Sequence, residues 1–228
     1  MRVPSIELWV GIFMRRYVVR GAVPAVVVAA GLLVSGCSSE PEKPAEKKAQ
    51  ASASGSPSPS ASAPTAAAAK GETLGGAGSP CVLPASFDTA KGWTAEKVDI
   101  SNPDFVLKQG PVTLVCEVDA KPAGHIGFLR VWTGTEKGGT PREALEAFVT
   151  ADQGASKAQY RDTKAGALPA TEVTYTSGLL DEAKPERAFA VTTPGGPVVV
   201  HLGGLDAEEH TAMLPAYELA KKSLTPAG

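Results

Sequence analysis

The chain has 228 residues and a formal net charge of −2, from 22 lysines and arginines against 24 aspartates and glutamates. Proteins that bind nucleic acid usually carry a basic face, so this balance argues against a nucleic-acid partner. Without the leader and the low-complexity segment described below, roughly 150 residues remain, which is the usual size of one domain.

Residues 1–36 have the pattern of a secretory leader. Arg15, Arg16 and Arg20 form a positively charged region, and an apolar stretch follows that ends in small residues before Cys37. The uncharged run is too short to cross ~30 Å of hydrocarbon. The pattern therefore predicts a cleaved signal peptide rather than a membrane span.

Two features of the leader stay open. Translation starts at Met1 or at Met14, and we favour Met14 because residues 1–13 add an apolar patch that a signal peptide does not need. The Arg15-Arg16 pair fits a twin-arginine export signal, but arginine pairs are also common in other leaders. The sequence thus predicts export without fixing its route.

The last residues of the leader and the cysteine that follows read Val34-Ser35-Gly36-Cys37. They resemble the lipobox of bacterial lipoproteins, which implies that Cys37 carries a diacylglyceryl group with acyl chains such as palmitate. Two or three acyl chains suffice for stable anchoring. We therefore expect the protein on the outer face of the bacterial cytoplasmic membrane, the alternative being an ordinary leader with a chance cysteine.

Residues 37–79 consist mainly of Ser, Ala, Pro and Gly with a few charges. Such a stretch buries too little apolar surface to offset the entropy cost of folding, so it predicts a disordered tether. A flexible coil of this length spans roughly 35 Å on average. The same composition also fits an O-glycosylated stalk, and both interpretations stay open.

Residues 80–228 carry the patterns of one folded domain. Turn residues at 121–124 and 194–196 separate segments that we expect to form hairpins. Runs of β-branched and aromatic residues predict strands at 93–100, 112–118, 125–132, 171–176, 187–192 and 197–202.

Capping patterns predict two helices. Thr140 and Glu143 form a capping box, and the helix that follows runs to about Ala151. Asp206 caps the final helix. Pro215 lies inside that helix and predicts either a kink or a break.

Together these segments predict an α+β domain, in which an antiparallel sheet of about six strands is covered by two helices. Cys81 and Cys116 are the cysteines that remain once Cys37 is lipidated, and two thiols in an oxidising compartment most often pair. That disulfide adds roughly 3–4 kcal/mol in the chain-entropy model. A redox role is disfavoured because the sequence has no C-x-x-C motif.

Several short motifs occur in a particular order: residues 87–93, the middle helix, the turn at 166–170 before the strand at 172–175, the strand at 186–191 and the closing helix. This order resembles actinobacterial lipoproteins of the PsbP-like superfamily over residues 81–226. The resemblance implies an α/β/α sandwich with helices on both faces of the sheet. It also implies a non-enzymatic adaptor without a cofactor, and it supplies no catalytic residues.

The sequence has few patterns that are typical of catalytic or metal sites. His201 and His210 could share a metal with a carboxylate only if they converge in space, and we favour two unrelated histidines and expect no metal. Gly203-Gly204 could open an anion-binding helix start, but Asp206 repels an anion, so we favour a plain turn. No G-x-S-x-G motif supports a serine hydrolase.

Trp93 and Trp132 are candidates for a binding surface. Because tryptophans are few, we favour core positions for both and expect at most one of them to line a groove. Arg187 is expected to lay its carbon stem over the sheet and to pair with a carboxylate.

Three functions remain, in decreasing order. The first is a membrane-anchored, non-enzymatic adaptor that binds another protein of the cell envelope. The second is a lipoprotein that binds a small apolar or polyanionic molecule in a cleft. The third is an envelope hydrolase, which needs a histidine beside a nucleophile or carboxylate in a cleft.

Overall fold

The computed structural model describes residues 66–178 and 183–227 of the chain. The predicted leader, the predicted lipidation site at Cys37 and most of the predicted tether lie outside these ranges. The elements are β1 (Lys70–Leu74), β2 (Ala85–Ala90), β3 (Thr94–Lys97), β4 (Lys108–Gln109), β5 (Val112–Asp119), β6 (Gly127–Thr133), α1 (Pro141–Thr150), β7 (Ser156–Ala165), β8 (Leu168–Ser177), β9 (Lys184–Thr193), β10 (Gly196–Gly204), α2 (Ala207–Ser223) and β11 (Thr225–Pro226).

Antiparallel pairing organises these strands into two sheets. The larger sheet has eight strands in the order β3-β5-β6-β10-β9-β8-β7, with β4 also paired to β5. The smaller sheet has the order β1-β2-β11. The antiparallel α+β prediction is confirmed, and the sheet has more strands than the six expected.

The two helices cover opposite faces of the large sheet. On β10, Val198, Val200 and Leu202 join the core cluster that contains residues of α2. Val199 joins the cluster that contains Leu145 and Phe148 of α1. Successive side chains of a strand point to opposite faces, so the α/β/α arrangement with helices on both faces is confirmed.

The predicted turns and caps explain where several elements begin. Gly124 ends the turn between β5 and β6 with φ 91°, a left-handed conformation that favours glycine. Thr140 accepts a hydrogen bond from the Glu143 backbone, and the Glu143 side chain accepts one from the Thr140 backbone, so α1 begins with a capping box.

The last helix differs from one of the two expectations. Asp206 caps α2 as predicted, by accepting a hydrogen bond from the Glu209 backbone. The helix then runs through Pro215 without a break. Burial of Met213 and Tyr217 on either side of this proline holds both halves against the sheet, which offsets the missing backbone donor.

The tether boundary at residue 79 needs correction. Lys70–Leu74 forms β1 and pairs with β2, so ordered structure begins ten residues earlier than predicted. Leu74 is the one apolar residue of this strand, and it is fully buried. A single apolar residue among polar ones gives no alternating pattern, which is why the strand escaped detection.

The disulfide predicted between Cys81 and Cys116 is present, with the two Cα atoms 6.0 Å apart. Both cysteines are buried in the α2-side core. The bond ties the segment before β2 to β5 in the large sheet and so connects the two sheets covalently. No helix in the described ranges is long and apolar enough to cross a membrane.

Replacing both cysteines by alanine should lower the free energy of unfolding by about 3–4 kcal/mol, because the unfolded chain regains the entropy of a 35-residue loop. Chemical denaturation of the double variant and of the oxidised wild type measures the difference. A loss below about 1 kcal/mol would show that the disulfide does not constrain the unfolded state in this way.

Candidate functional site

Neither tryptophan proposed as a binding surface is exposed. Trp93 and Trp132 are both buried, so the binding-surface interpretation is corrected and both are core residues. Trp132 packs edge-on against Phe148 of α1, with ring centroids 5.4 Å apart. One side of Trp93 borders a shallow cavity of about 280 Å³ beside α2.

His201 belongs to a buried polar cluster on the α1 face of the sheet. Its Nε2 donates to Glu186 Oε2 at 2.9 Å, and the Tyr175 hydroxyl lies 3.3 Å from the same nitrogen. Lys184 Nζ lies 3.2 Å from the other Glu186 oxygen. Burial raises the pKa of Glu186, but His201 and Lys184 outweigh it, so the pKa lies below its ordinary value.

This cluster contains a histidine–carboxylate pair, but both side chains are buried. His201 is only 8% exposed, and Phe148 covers it with its ring centroid 5.5 Å away. In the described part of the chain, no histidine has a Ser or Thr hydroxyl as a hydrogen-bond partner. No group of three His, Cys, Asp or Glu side chains suited to a metal occurs among the described residues either.

The helix start after Gly203-Gly204 does not present an open anion site. The Asp206 carboxylate itself accepts the Glu209 N–H, at 2.9 Å, and so occupies the position an anion would take. Close to it, His125 Nδ1 lies 3.3 Å from Glu209 Oε2 and connects the β5–β6 turn to the first turn of α2.

A second buried polar cluster lies on the α2 face. The Glu172 side chain is 1% exposed and accepts hydrogen bonds from Lys221 Nζ at 2.8 Å and the Tyr217 hydroxyl at 2.9 Å, with Arg161 as a further partner. Burial raises the pKa of Glu172, but Lys221 and Arg161 outweigh it, so the net pKa is lowered. Burial also raises the pKa of Tyr217, which keeps its hydroxyl protonated as a donor.

One edge of the large sheet exposes apolar side chains. We call this group the apolar loop surface, and its four members with their exposed fractions are Val82 (73%), Ile100 (44%), Phe105 (75%) and Leu107 (57%). Single exposed apolar residues are ordinary on a protein surface. A group of them on one sheet edge is typical of an interaction site.

Three of the four residues lie on residues 98–107, which connect β3 to β4. Val98 N donates to Val115 O and Leu114 N donates to Leu107 O, both at 3.0 Å. The two ends of the loop are therefore hydrogen-bonded to consecutive residues of β5. A loop with such closely placed ends is often functional.

Hydrogen bonds inside the loop fix how Phe105 is presented. The Asn102 side chain accepts from Asp104 N at 3.0 Å and its carbonyl accepts from Phe105 N at 3.1 Å, which forms a short 3-10 turn over Pro103–Phe105. A partner therefore meets an apolar side chain on a preorganised turn, which lowers the entropy cost of binding.

The fourth residue extends this surface toward the disulfide. Val82 directly follows Cys81, and Val82 and Ile100 line the same cavity of about 190 Å³. Because Cys81 is bonded to Cys116 of β5, the disulfide holds Val82 beside the loop. In the sequence, the only signal of this surface is the short apolar run Phe105-Val106-Leu107 between Asp104 and Lys108.

The fold and the surface define an antiparallel α+β domain with a loop exposed on one sheet edge. A family model described as "uncharacterised lipoprotein" matches residues 49–224, and the chain belongs to this family. Membership makes the protein a membrane-associated lipoprotein. No curated protein matches the chain.

Solved structures that are similar to the chain include the following two. The cyanobacterial PsbP protein (CyanoP) of Synechocystis sp. PCC 6803 has a TM-score of 0.46 and 13% identity, over 63% of this chain and 86% of that one. LpqN of Mycobacterium tuberculosis, whose structure is described as involved in cell envelope biogenesis, has a TM-score of 0.37 and 12% identity, over 69% and 91%. Because both TM-scores lie below 0.5, we take the architecture from this chain's own strands and helices.

The Lys221→Met substitution should lower the free energy of unfolding by about 3 kcal/mol, because it leaves the Glu172 carboxylate buried without its principal cation. Thermal and chemical denaturation measure the change. The matched control is Arg142→Met, which breaks the exposed pair between Arg142 and Glu146 on α1. Equal losses in the two variants would contradict the structural role of Lys221.

Stability should fall on mild acidification because of His210. This side chain is buried at the start of α2, and burial lowers its pKa below the ordinary 6.5, with the Glu186 charge opposing and nearby Arg187, His201 and Lys184 adding to the shift. The unfolded chain therefore binds a proton first as the pH falls below 6.5. The free energy of unfolding should drop by up to about 1.4 kcal/mol per pH unit in that window.

The His210→Phe variant keeps a ring of similar size and removes this titration. Its free energy of unfolding should vary less between pH 6.5 and 5 than that of the wild type, as measured by denaturant titrations at each pH. Below about pH 4.5 both proteins should lose stability together, because Glu172 and Glu186 have lowered pKa values. Identical profiles above pH 5 would exclude His210 as the cause.

Proposed function

We propose that this lipoprotein is a non-enzymatic adaptor that binds another protein of the cell envelope. A lipid on Cys37 holds it at the outer face of the cytoplasmic membrane, and the segment after Cys37 carries the domain away from the bilayer. The partner docks on the apolar loop surface. The exposure of Phe105, together with the hydrogen-bonded turn that presents it, is the observation that supports this function most strongly.

The composition of the surface favours a protein partner over a small molecule. The cavity between Val82 and Ile100 measures about 190 Å³, whereas drug-sized ligands occupy clefts of about 300–1,000 Å³. Side chains that project from a loop, as Phe105 does, fit a pocket on another protein. Interfaces commonly depend on a few such aromatic anchors.

The non-enzymatic character is part of the same proposal. The histidine best placed for acid–base chemistry, His201, lies beneath Phe148 and not in a cleft. General acid–base catalysis needs a group within hydrogen-bond reach of a bound substrate. A buried Glu186–His201 pair serves better to fix strands β9 and β10 on the α1 face.

In living cells, a photo-reactive amino acid at Phe105 or Leu107 should cross-link to the same protein in repeated experiments. The matched control is Ile126, which is also apolar and 55% exposed but lies just before β6. We expect little capture from that position. Mass spectrometry of the cross-linked products identifies the partner.

The captured protein, once purified, should bind the full chain less tightly after Phe105→Ser. Loss of an aromatic anchor costs about 2 kcal/mol, which corresponds to roughly 30-fold in Kd. Leu205→Ser, at an exposed position remote from the loop, should leave the Kd unchanged. Equal effects of both substitutions, or equal capture from Phe105 and Ile126, would contradict the proposed docking site.

A further inference from the structure

A groove on the outer side of α2 is unrelated to the apolar loop surface. Its volume is about 400 Å³, which falls within the range of small-molecule sites. We call it the α2 groove, and its lining residues are Ala67, Leu214, Pro215, Leu219, Arg187, Glu218 and Lys222. The lining thus combines apolar side chains with three charged ones.

Positive charge is concentrated around the α2 groove. The chain as a whole carries a net charge of −2. In the groove and in the adjoining ion-pair network, four cationic side chains face two carboxylates: Arg161, Arg187, Lys221 and Lys222 against Glu172 and Glu218. The local excess of positive charge favours an anionic ligand.

Arg187 offers a hydrogen-bond donor that the described residues leave unused. Its Nε is buried and has no acceptor in the described part of the chain. Its Nη1 makes only a long contact of 3.4 Å with Glu218 Oε1, and Glu218 is shared with Lys221. Part of the guanidinium is nevertheless accessible, because the Arg187 side chain is 25% exposed. With only one long ion-pair contact, its outer nitrogens can donate to a further acceptor supplied by a ligand.

We propose that the α2 groove binds a monoanionic amphiphile, with a carboxylate at Arg187 and Lys222 and an alkyl chain against Leu214 and Leu219. A cationic head is repelled by the two basic residues, and a neutral head leaves the Arg187 donor poorly satisfied. The Glu218 carboxylate, which also lines the groove, disfavours a dianionic phosphate. A carboxylate accepts well from guanidinium donors.

This inference goes beyond the proposed adaptor function and does not depend on it, because the apolar loop surface lies at the β3–β4 edge of the large sheet and the groove lies at α2.

Decanoate is a suitable probe, because it combines one carboxylate with a short alkyl chain. Isothermal titration calorimetry measures its binding to the full chain in phosphatidylcholine nanodiscs, with empty nanodiscs as the blank. We expect saturable binding. Decanol, which has the same tail without the charge, should bind at least about 10-fold more weakly, as expected for a charge-assisted hydrogen bond.

Substitutions locate the site. Arg187→Gln should weaken decanoate binding at least about 10-fold, and Lys222→Gln, at an exposed position that leaves the fold intact, about 3-fold. The matched control Lys121→Gln removes an exposed lysine from the β5–β6 turn and should have no effect. If Arg187→Gln does not fold, Lys222→Gln and the decanol comparison decide.

Equal affinities for decanoate and decanol would overturn the proposal, as would the absence of saturable decanoate binding to the wild type. Equal weakening by Lys222→Gln and Lys121→Gln would also overturn it, because decanoate would then not bind in the α2 groove. None of these results bears on cross-linking from Phe105, so failure of the ligand site and failure of the adaptor function are distinguishable.

Discussion

Every residue of the central strand β10, Gly196–Gly204, is buried. Its side chains point alternately toward α2 and toward α1, so both helices must pack on the sheet to keep this strand from water. Other features follow from this constraint. The buried carboxylates Glu172 and Glu186 lie on opposite faces beneath the helices, and each is stabilised by cations from its own surroundings.

A sheet covered on both faces leaves its edges and the outer sides of its helices for interactions. The edge formed by β3 and β4 carries the apolar loop surface, which the disulfide and the turn at Pro103–Phe105 hold in place. The outer side of α2 carries the groove with Arg187. The cluster around His201 contains a histidine–carboxylate pair, but both side chains are buried. Function in this domain is therefore better sought on loops than in the core.

The sequence predicted the fold where local rules and burial agree. Thr140 and Asp206 capped helices as expected, and β5, β6, β9 and β10 followed their β-branched patterns. β7, which pairs with β8, was missed because its residues are mostly exposed and polar. Such a strand has no alternation of apolar and polar residues by which it could be predicted. The site was missed for a related reason: Val82 and Ile100 are distant in the sequence and lie side by side only in the folded domain, where the disulfide bonds Cys81 to β5.

If a partner in the cell envelope docks on the apolar loop surface, it should cover residues 98–107. Hydrogen–deuterium exchange of the full chain, compared between isolated membranes and purified protein, measures this protection. We expect the Asp104 and Phe105 amides to exchange more slowly in membranes. The exchange rates of the exposed turn at Lys121–Ala123 should be the same in both preparations. Equal exchange of the loop in both preparations would contradict the claim, because a docked partner excludes water from that surface.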